Sequence, residues 1–261
     1  MRRPLISLLT DFGTRDAFVG IMKGVILGIN PEVHIVDLSH EIPPQDILAG
    51  ALVLRSAVSF FPPGSIHVAV VDPGVGSDRR AILLETHQAF FVGPDNGLLS
   101  LAAPPEATRR SVHLVNPAYF LAPRSRTFHG RDVFAPVAAH LSRGAAVGQF
   151  GPAVTDIERI TLPGVERRET GVTGRVIYID HFGNAVTNIS EADLRPFSKE
   201  RLFISMDAMQ ISGIVETYAA VAVGAPAALI NSWGMLEIAV RNGSAAQQFG
   251  IAVGHEVRVT A

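Results

Sequence analysis

The chain has 261 residues, a formal net charge of −2 and no cysteine. Without thiols, disulfides, thiolate nucleophiles and Cys-ligated zinc or iron–sulfur centres are excluded, and a near-neutral balance with no basic block argues against nucleic acid as the main partner. No apolar run approaches bilayer length and the N-terminus lacks the apolar core of a secretory signal, so a soluble, cytoplasmic protein of one large or two modest domains, with no membrane partner, is expected.

In chain order, the first predicted strand is Ile6-Ser7-Leu8-Leu9-Thr10, ending at Asp11-Phe12-Gly13. A helix is predicted over residues 17–29 behind Asp16, a strand at His34-Ile35-Val36 ending at Asp37, and a helix over 47–60 behind Asp46, with both acids placed as caps. Val68-Ala69-Val70-Val71 then stops at Asp72-Pro73-Gly74-Val75-Gly76, followed by Arg79 and Arg80. Continuous β-branched runs suit the interior of a parallel sheet, and the β-α-β-α-β order predicts a doubly wound one. Ligands in such sheets gather beyond the carboxyl ends of the strands, which places Asp11 and Asp72 on the edge where a site forms. Taken alone, Asp72 also fits a plain turn in which the carboxylate bonds its own loop amides.

Thr127-Phe128-His129-Gly130-Arg131-Asp132 precedes a helix predicted over 133–143, with Asp132 as its cap. His129 carries the side chain best suited to proton transfer near neutral pH. Glycines and prolines punctuate residues 144–164, which reads as a connector. Beyond it lie short apolar segments at 174–179, 201–205, 227–231, 235–240 and 256–260, favouring a compact barrel or sandwich. The expected organisation is an α/β domain over 1–155, a linker over 156–169 and a β-domain over 170–261. In Tyr178-Ile179-Asp180-His181-Phe182-Gly183-Asn184 a strand ends in an acid, an aromatic and a carboxamide. These groups suit an ammonium, a flat ring and an adenine edge respectively, although an Asx-type turn explains the same residues.

Thr10-Asp11-Phe12-Gly13-Thr14, the Asp72 to Gly76 turn with Arg79, Gly93-Pro94-Asp95-Asn96-Gly97-Leu98-Leu99, the Thr127 to Asp132 segment and the Asp180 to Asn184 segment occur in this order. With Asn231-Ser232-Trp233-Gly234 and Glu237-Ile238-Ala239-Val240-Arg241-Asn242, they resemble the S-adenosyl-L-methionine (SAM) hydroxide adenosyltransferases. These adenosine-forming SAM hydrolases are related to the fluorinase and chlorinase, and the resemblance covers nearly the whole chain. It implies an N-terminal α/β domain, a C-terminal β-barrel, and a homotrimer with SAM held between neighbouring subunits. It also implies Asp72, Arg79 and His129 as the catalytic set, Asp11 on the ribose and Phe128 beside the substrate. Phe182, Asn184 and Tyr218 fall around adenine, Asp180 and Ser232 at the methionine end, with Glu237 and the backbone near Val240 as further contacts. No cofactor or metal is implied, SAM being the substrate.

The departures from the halogenating relatives point to water or hydroxide as the nucleophile. Gly130 stands where the fluorinase has a halide-binding serine, Asp72 replaces a tyrosine, Gln45 replaces a tryptophan, and no long insertion separates Leu84 from Phe91. The thioether leaves SAM neutral and needs no acid, so the enzyme's task is to place and activate water. Arg79, always charged, stabilises developing hydroxide. His129 is read as the proton acceptor with Asp72 orienting water or the imidazole, and Asp72 as base is the alternative. Two rival functions remain at this level. Acidic strand tips with Asn96 suit a divalent-metal nucleotidase or phosphatase, although no G-x-x-x-x-G-K loop accompanies them; a non-catalytic adenosine or SAM sensor is the other.

Overall fold

In the computed structural model, which describes residues 3–207 and 209–261, the first half of the chain alternates strand and helix as its patterning requires. β1 (Leu5–Thr10), α1 (Phe18–Ile29), β2 (His34–Ser39), α2 (Ile47–Val58) and β3 (Ser65–Val70) follow in order. β1 pairs in parallel with both β2 and β3, so that Ile6 faces Ile35 on one side and Ile66 on the other. Every residue of β3 is buried, as a central parallel strand demands. Asp46 caps α2 by accepting from the Ala49 amide at 2.9 Å. Asp16 does not cap α1: the cap position is Ala17, one residue further on, and it carries no side-chain bond.

Three strands absent from the sequence reading widen the sheet. β4 (Ala81–Thr86), β5 (Ala89–Pro94) and β6 (Thr108–His113) complete the order β2-β1-β3-β5-β4-β6, with β5 parallel to β3 and β4 antiparallel to both its neighbours. β6 reads Thr-Arg-Arg-Ser-Val-His and lies at the edge, so it carries no apolar period for a sequence to betray. Ile6, Leu8, Ile66, Val68 and Val70 form one core with Met22 and Ile26 of α1 and with α3 (Ala135–Ser142). α2 covers the opposite face, where the small Gly50 lets it approach Val71 and Leu98.

His67 of β3 is fully buried between Phe61 and Phe91, both with ring centroids 5.2 Å away, and its Nδ1 shares a 2.6 Å hydrogen bond with Ser7 Oγ. Burial pushes its pKa from 6.5 to about 4. The unfolded chain therefore takes up a proton below about pH 6.5 that the native state refuses, and stability falls as pH drops from there towards 4, by roughly 3 kcal/mol at the low end. Urea unfolding at about pH 7 and about pH 4.5 measures this loss. His67→Asn, whose amide reaches the place of Nδ1, should lose distinctly less on acidification; an equal loss would show that His67 is not the titrating group.

The second half of the chain is β-rich. β7 (Glu166–Arg168), β8 (Gly171–Ile179), β9 (Ala185–Ser190), β10 (Phe203–Met206), β11 (Met209–Ser212), β12 (Pro226–Ile230), β13 (Met235–Val240) and β14 (Glu256–Thr260) are accompanied by the short helices α4 (Glu191–Leu194) and α5 (Ala245–Phe249). The antiparallel order is β11-β10-β14-β8-β9-β13-β12, with β7 on the side of β8. A bridge from Val215 to Leu229 brings the sheet close to closure as a barrel. Along β14 the residues alternate, Val257 and Val259 entering the core while Glu256, Arg258 and Thr260 face out. β7, β9 and β11 escape the sequence reading: β7 is a charged Glu-Arg-Arg inside the expected 156–169 linker that becomes a strand by pairing with β8, β9 carries Asn188 and Ser190, which look like turn residues, and the four residues of β11 carry little period.

The chain divides into two compact units, one ending at Ile160 and the other beginning at Thr161. Residues 156–160 are bonded into the first: Arg80 donates to Asp156, the Glu158 amide to Asp95 and the Ile160 amide to Ser100 Oγ. In the second, Asn188 Nδ2 donates to the Pro163 carbonyl at 2.8 Å. Among the described residues no helix is long and apolar enough to cross a membrane.

Candidate active site

In the first unit, Thr10 pairs with Val70, so Asp11 and Asp72 leave the sheet from neighbouring strands at the same edge. The 72–79 turn then doubles back. Ser77 Oγ donates to the Gly74 carbonyl at 2.7 Å, and Gly76 adopts φ +79° with the place of a Cβ only 2.4 Å from the Arg126 carbonyl. Only glycine satisfies both conditions, and the turn thereby packs on the segment leading to His129. Arg79 Nε donates to Asp72 Oδ1 at 2.8 Å and Nη2 to Oδ2. Nη2 also donates to His129 Nδ1 at 3.0 Å. The carboxylate is thus held by a guanidinium fork, not by the amides of its own turn, and with side chains only 5% and 10% exposed the pair escapes the screening that weakens surface ion pairs. The guanidinium also lies over the Phe134 ring at 5.4 Å.

His129 immediately precedes a single π-helical turn, Gly130–Phe134, that runs into α3. Such turns often mark functional sites. Asp132 lies inside this turn, not at a helix start, so it does not cap as expected. Its buried carboxylate instead accepts from the Ser125 amide at 2.7 Å and from Arg131 Nε at 2.6 Å, tying down the loop that delivers His129. Because a guanidinium only donates, the Arg79 bond assigns Nδ1 of neutral His129 as an acceptor and leaves its proton on Nε2. Burial first, then the charges of Arg79 and Arg124, push the His129 pKa below its ordinary value, so the ring is neutral near pH 7. A Cβ at Gly130 would stand 3.1 Å from Met22 Sδ and 3.2 Å from the Phe128 ring. Phe128 packs against Phe12 and Phe18. Asp11 Oδ2 accepts from the Gln45 amide at 2.8 Å, and Gln45 holds φ 67°, a left-handed conformation that a non-glycine residue rarely adopts.

In the second unit, the Asx-type turn foreseen between β8 and β9 is present. Asp180 Oδ1 accepts from the Phe182 and Asn184 amides at 2.9 and 2.8 Å, and Oδ2 from Asn184 Nδ2 at 3.0 Å. The turn leaves Phe182 72% exposed, a large aromatic face without a core to fill. Asp180, Phe182, Asn184, Tyr218 and Val240 line a cavity of about 440 Å³. Asp180 and Tyr218 also line a second, of about 350 Å³, with Ser232 and Glu237. The residues expected at the adenine and methionine ends therefore fall on two adjoining hollows.

Glu237 is 3% exposed and its oxygens receive the Tyr218 hydroxyl at 2.7 Å and Asn231 Nδ2 at 3.0 Å. Burial raises its pKa, the two donors oppose that, and the charge of Asp180 adds to it. The Tyr218 phenol is also raised, by burial and then by Glu237, so it remains a donor. Asn231 Oδ1 accepts from the Trp233 amide at 2.9 Å, and Trp233 lines the second cavity beside Tyr178, at 5.5 Å between ring centroids. Trp233 was not singled out from the sequence; its being the chain's one tryptophan, beside Ser232, was the available signal.

Residues 6–151 match the SAM hydroxide adenosyltransferase N-terminal domain and residues 174–258 the C-terminal domain of the same family. The chain belongs to the SAM hydroxide adenosyltransferase family. It is 41% identical to an (R)-S-adenosyl-L-methionine hydrolase of Salinispora tropica, over 99% of this chain and 98% of that protein. A fluorinase of an Actinoplanes species is 29% identical over 98% and 97% of the two chains. The crystal structure of an uncharacterized conserved protein from Thermotoga maritima is similar at a TM-score of 0.90 and 33% identity, covering 97% of this chain and 99% of that one.

Proposed function

We propose that the protein is a hydrolase that converts S-adenosyl-L-methionine to adenosine and L-methionine by in-line attack of water at ribose C5′. The observation that carries this reading is the half-buried Asp72–Arg79–His129 cluster at the carboxyl edge of the parallel strands, in a chain of this family. A C5′–O bond forms, the C5′–S bond breaks, the thioether leaves neutral and one proton is released. No electron or group carrier enters that balance. Arg79 and the Nε2–H edge of His129 donate to the oxygen as it gains hydroxide character. The direction of the Arg79–His129 bond favours Asp72 over His129 as the acceptor of the proton, because the one free lone pair of the imidazole faces a cation. Asp72 retains lone pairs beyond those used by Arg79, and an oxygen bonded to carbon that still carries both protons is acidic enough for a carboxylate to deprotonate.

Asp11 binds the ribose hydroxyls in this proposal, with Phe128 beside it. Phe182, Asn184, Tyr218 and Val240 enclose adenine, and Asp180 with Ser232 receives the methionine ammonium. Glu237 holds Tyr218 and the Asn231 turn in place. The metal-dependent alternative needs a cluster of acidic or histidine ligands, and among the described residues no such group of three gathers. The assembly is proposed as a homotrimer in the cytoplasm, which light scattering reads directly. The relative from Salinispora tropica carries the sulfonium descriptor (R) in its name, and we extend that preference to this chain. Given both sulfonium epimers, the protein should consume the (R) form and leave the (S) form, followed by chiral chromatography. Consumption of (S) alone would refute the preference, and consumption of neither would refute the hydrolase reading.

A further inference from the structure

Between the end of β3 at Val70 and the start of β4 at Ala81, the turn that carries Asp72 and Arg79 lies outside the sheet ladder. The backbone carbonyls at its two ends are those of Val71 and Arg80, and both are held by one dipeptide from the end of β5. Asn96 Nδ2 donates to the Val71 carbonyl at 2.9 Å, while Asn96 Oδ1 accepts from the Leu98 amide at 3.2 Å. The Asp95 amide donates to the Arg80 carbonyl at 2.9 Å, and its buried carboxylate takes Arg80 Nε at 2.8 Å. That same Arg80 carbonyl receives Arg79 Nη1 at 3.3 Å. β5 comes close enough to do this because Gly93 lies against the Ala69 carbonyl, where a Cβ would stand 2.4 Å away.

We infer that Asn96, with Asp95, is a positioning residue for the reaction: Asn96 fixes the Val71 end of the turn and Asp95 its Arg80 end, and together they set where the Asp72–Arg79 pair meets the attacking water. The inference rests on the proposal that this pair is catalytic. The hydrogen bonds of Asp95 and Asn96 go to Val71, Arg80, Leu98 and Glu158 and not to the side chains of Asp72 or Arg79, so the device acts through the geometry of the turn. A misplacement on the order of 1 Å costs about 100-fold in rate, and substrate affinity, set by Asp11 and the second unit, is spared.

The test compares Asn96→Ala, Asn96→Asp, Arg79→Ala and a matched control, Asn30→Ala, in SAM turnover and thermal unfolding. Asn30 likewise donates once and accepts once, donating to Ser142 Oγ at 2.8 Å and accepting from the Glu32 amide two residues on at 3.1 Å, beyond the far end of α1. Asn96→Ala should lower kcat about 10- to 100-fold with KM nearly unchanged. Asn96→Asp keeps the acceptor for Leu98 but loses the donor to Val71; it should fall as far, and it carries the test if the alanine variant is unstable. Asn30→Ala should lose stability without losing kcat. Native kcat in Asn96→Asp, or an equal loss of kcat in Asn30→Ala, overturns the inference. Retained turnover in Arg79→Ala overturns instead the assignment of the catalytic pair, and the two failures are distinct.

Discussion

Arg79→Ala should lower SAM turnover by about 100- to 1,000-fold while KM moves little, the size of effect seen when a single donor to a developing oxyanion is removed. The guanidinium holds both Asp72 oxygens and His129 Nδ1, so one truncation removes the cation and frees both partners. It also leaves a buried carboxylate unpaired, which costs about 3–5 kcal/mol when a buried ion pair is broken. Arg79→Lys separates the two consequences: it keeps the charge and loses the fork. Its turnover should lie between those of the native enzyme and the alanine variant, with stability largely restored. Steady-state kinetics alongside thermal unfolding reads both, and an Arg79→Ala enzyme within tenfold of native turnover would remove Arg79 from the mechanism.

Asp11→Ala should act on the other parameter. Its carboxylate stands at the end of β1, beside the strand that leads to Asp72, with Oδ2 on the Gln45 amide and lone pairs left for two ribose hydroxyls. Hydrogen bonds to charged groups are worth about 1.5–3 kcal/mol each, so losing this acceptor should raise the dissociation constant for SAM by roughly 100-fold. Asp11→Asn, which keeps one acceptor oxygen, should lose less. Calorimetric titration of adenosine, which contains the ribose but no sulfonium, isolates the contact. Unchanged adenosine affinity in Asp11→Ala would place the ribose elsewhere.

The parts of this site that the sequence discloses are those encoded locally. An apolar run that stops at Asp72 reports a buried strand and the group at its tip, and the same logic finds Asp11 and the capping role of Asp46. The Asp180 turn was legible as a turn, since its bonds to Phe182 and Asn184 span two to four residues. Contacts set by register between distant segments were not legible. Asn96 reaches Val71 across 25 positions, and Arg79 meets His129 across 50. Motif resemblance supplied the second of these, whereas nothing local marked the first. Asp132 misled because a carboxylate just before an apolar run looks like a cap, while the chain had already entered a π turn. The polar strand β6 shows the same limit, since its pairing with β4 and a bridge from Val112 to Ala153 make it a strand.

The central claim is that water attacks C5′ of SAM. Incubation with SAM containing both sulfonium epimers in water enriched in heavy oxygen, followed by mass spectrometry of the products, tests it most directly. The account predicts adenosine labelled at its 5′-hydroxyl and unlabelled L-methionine, in equal amounts. Unlabelled adenosine, label in methionine, or no adenosine at all would contradict it.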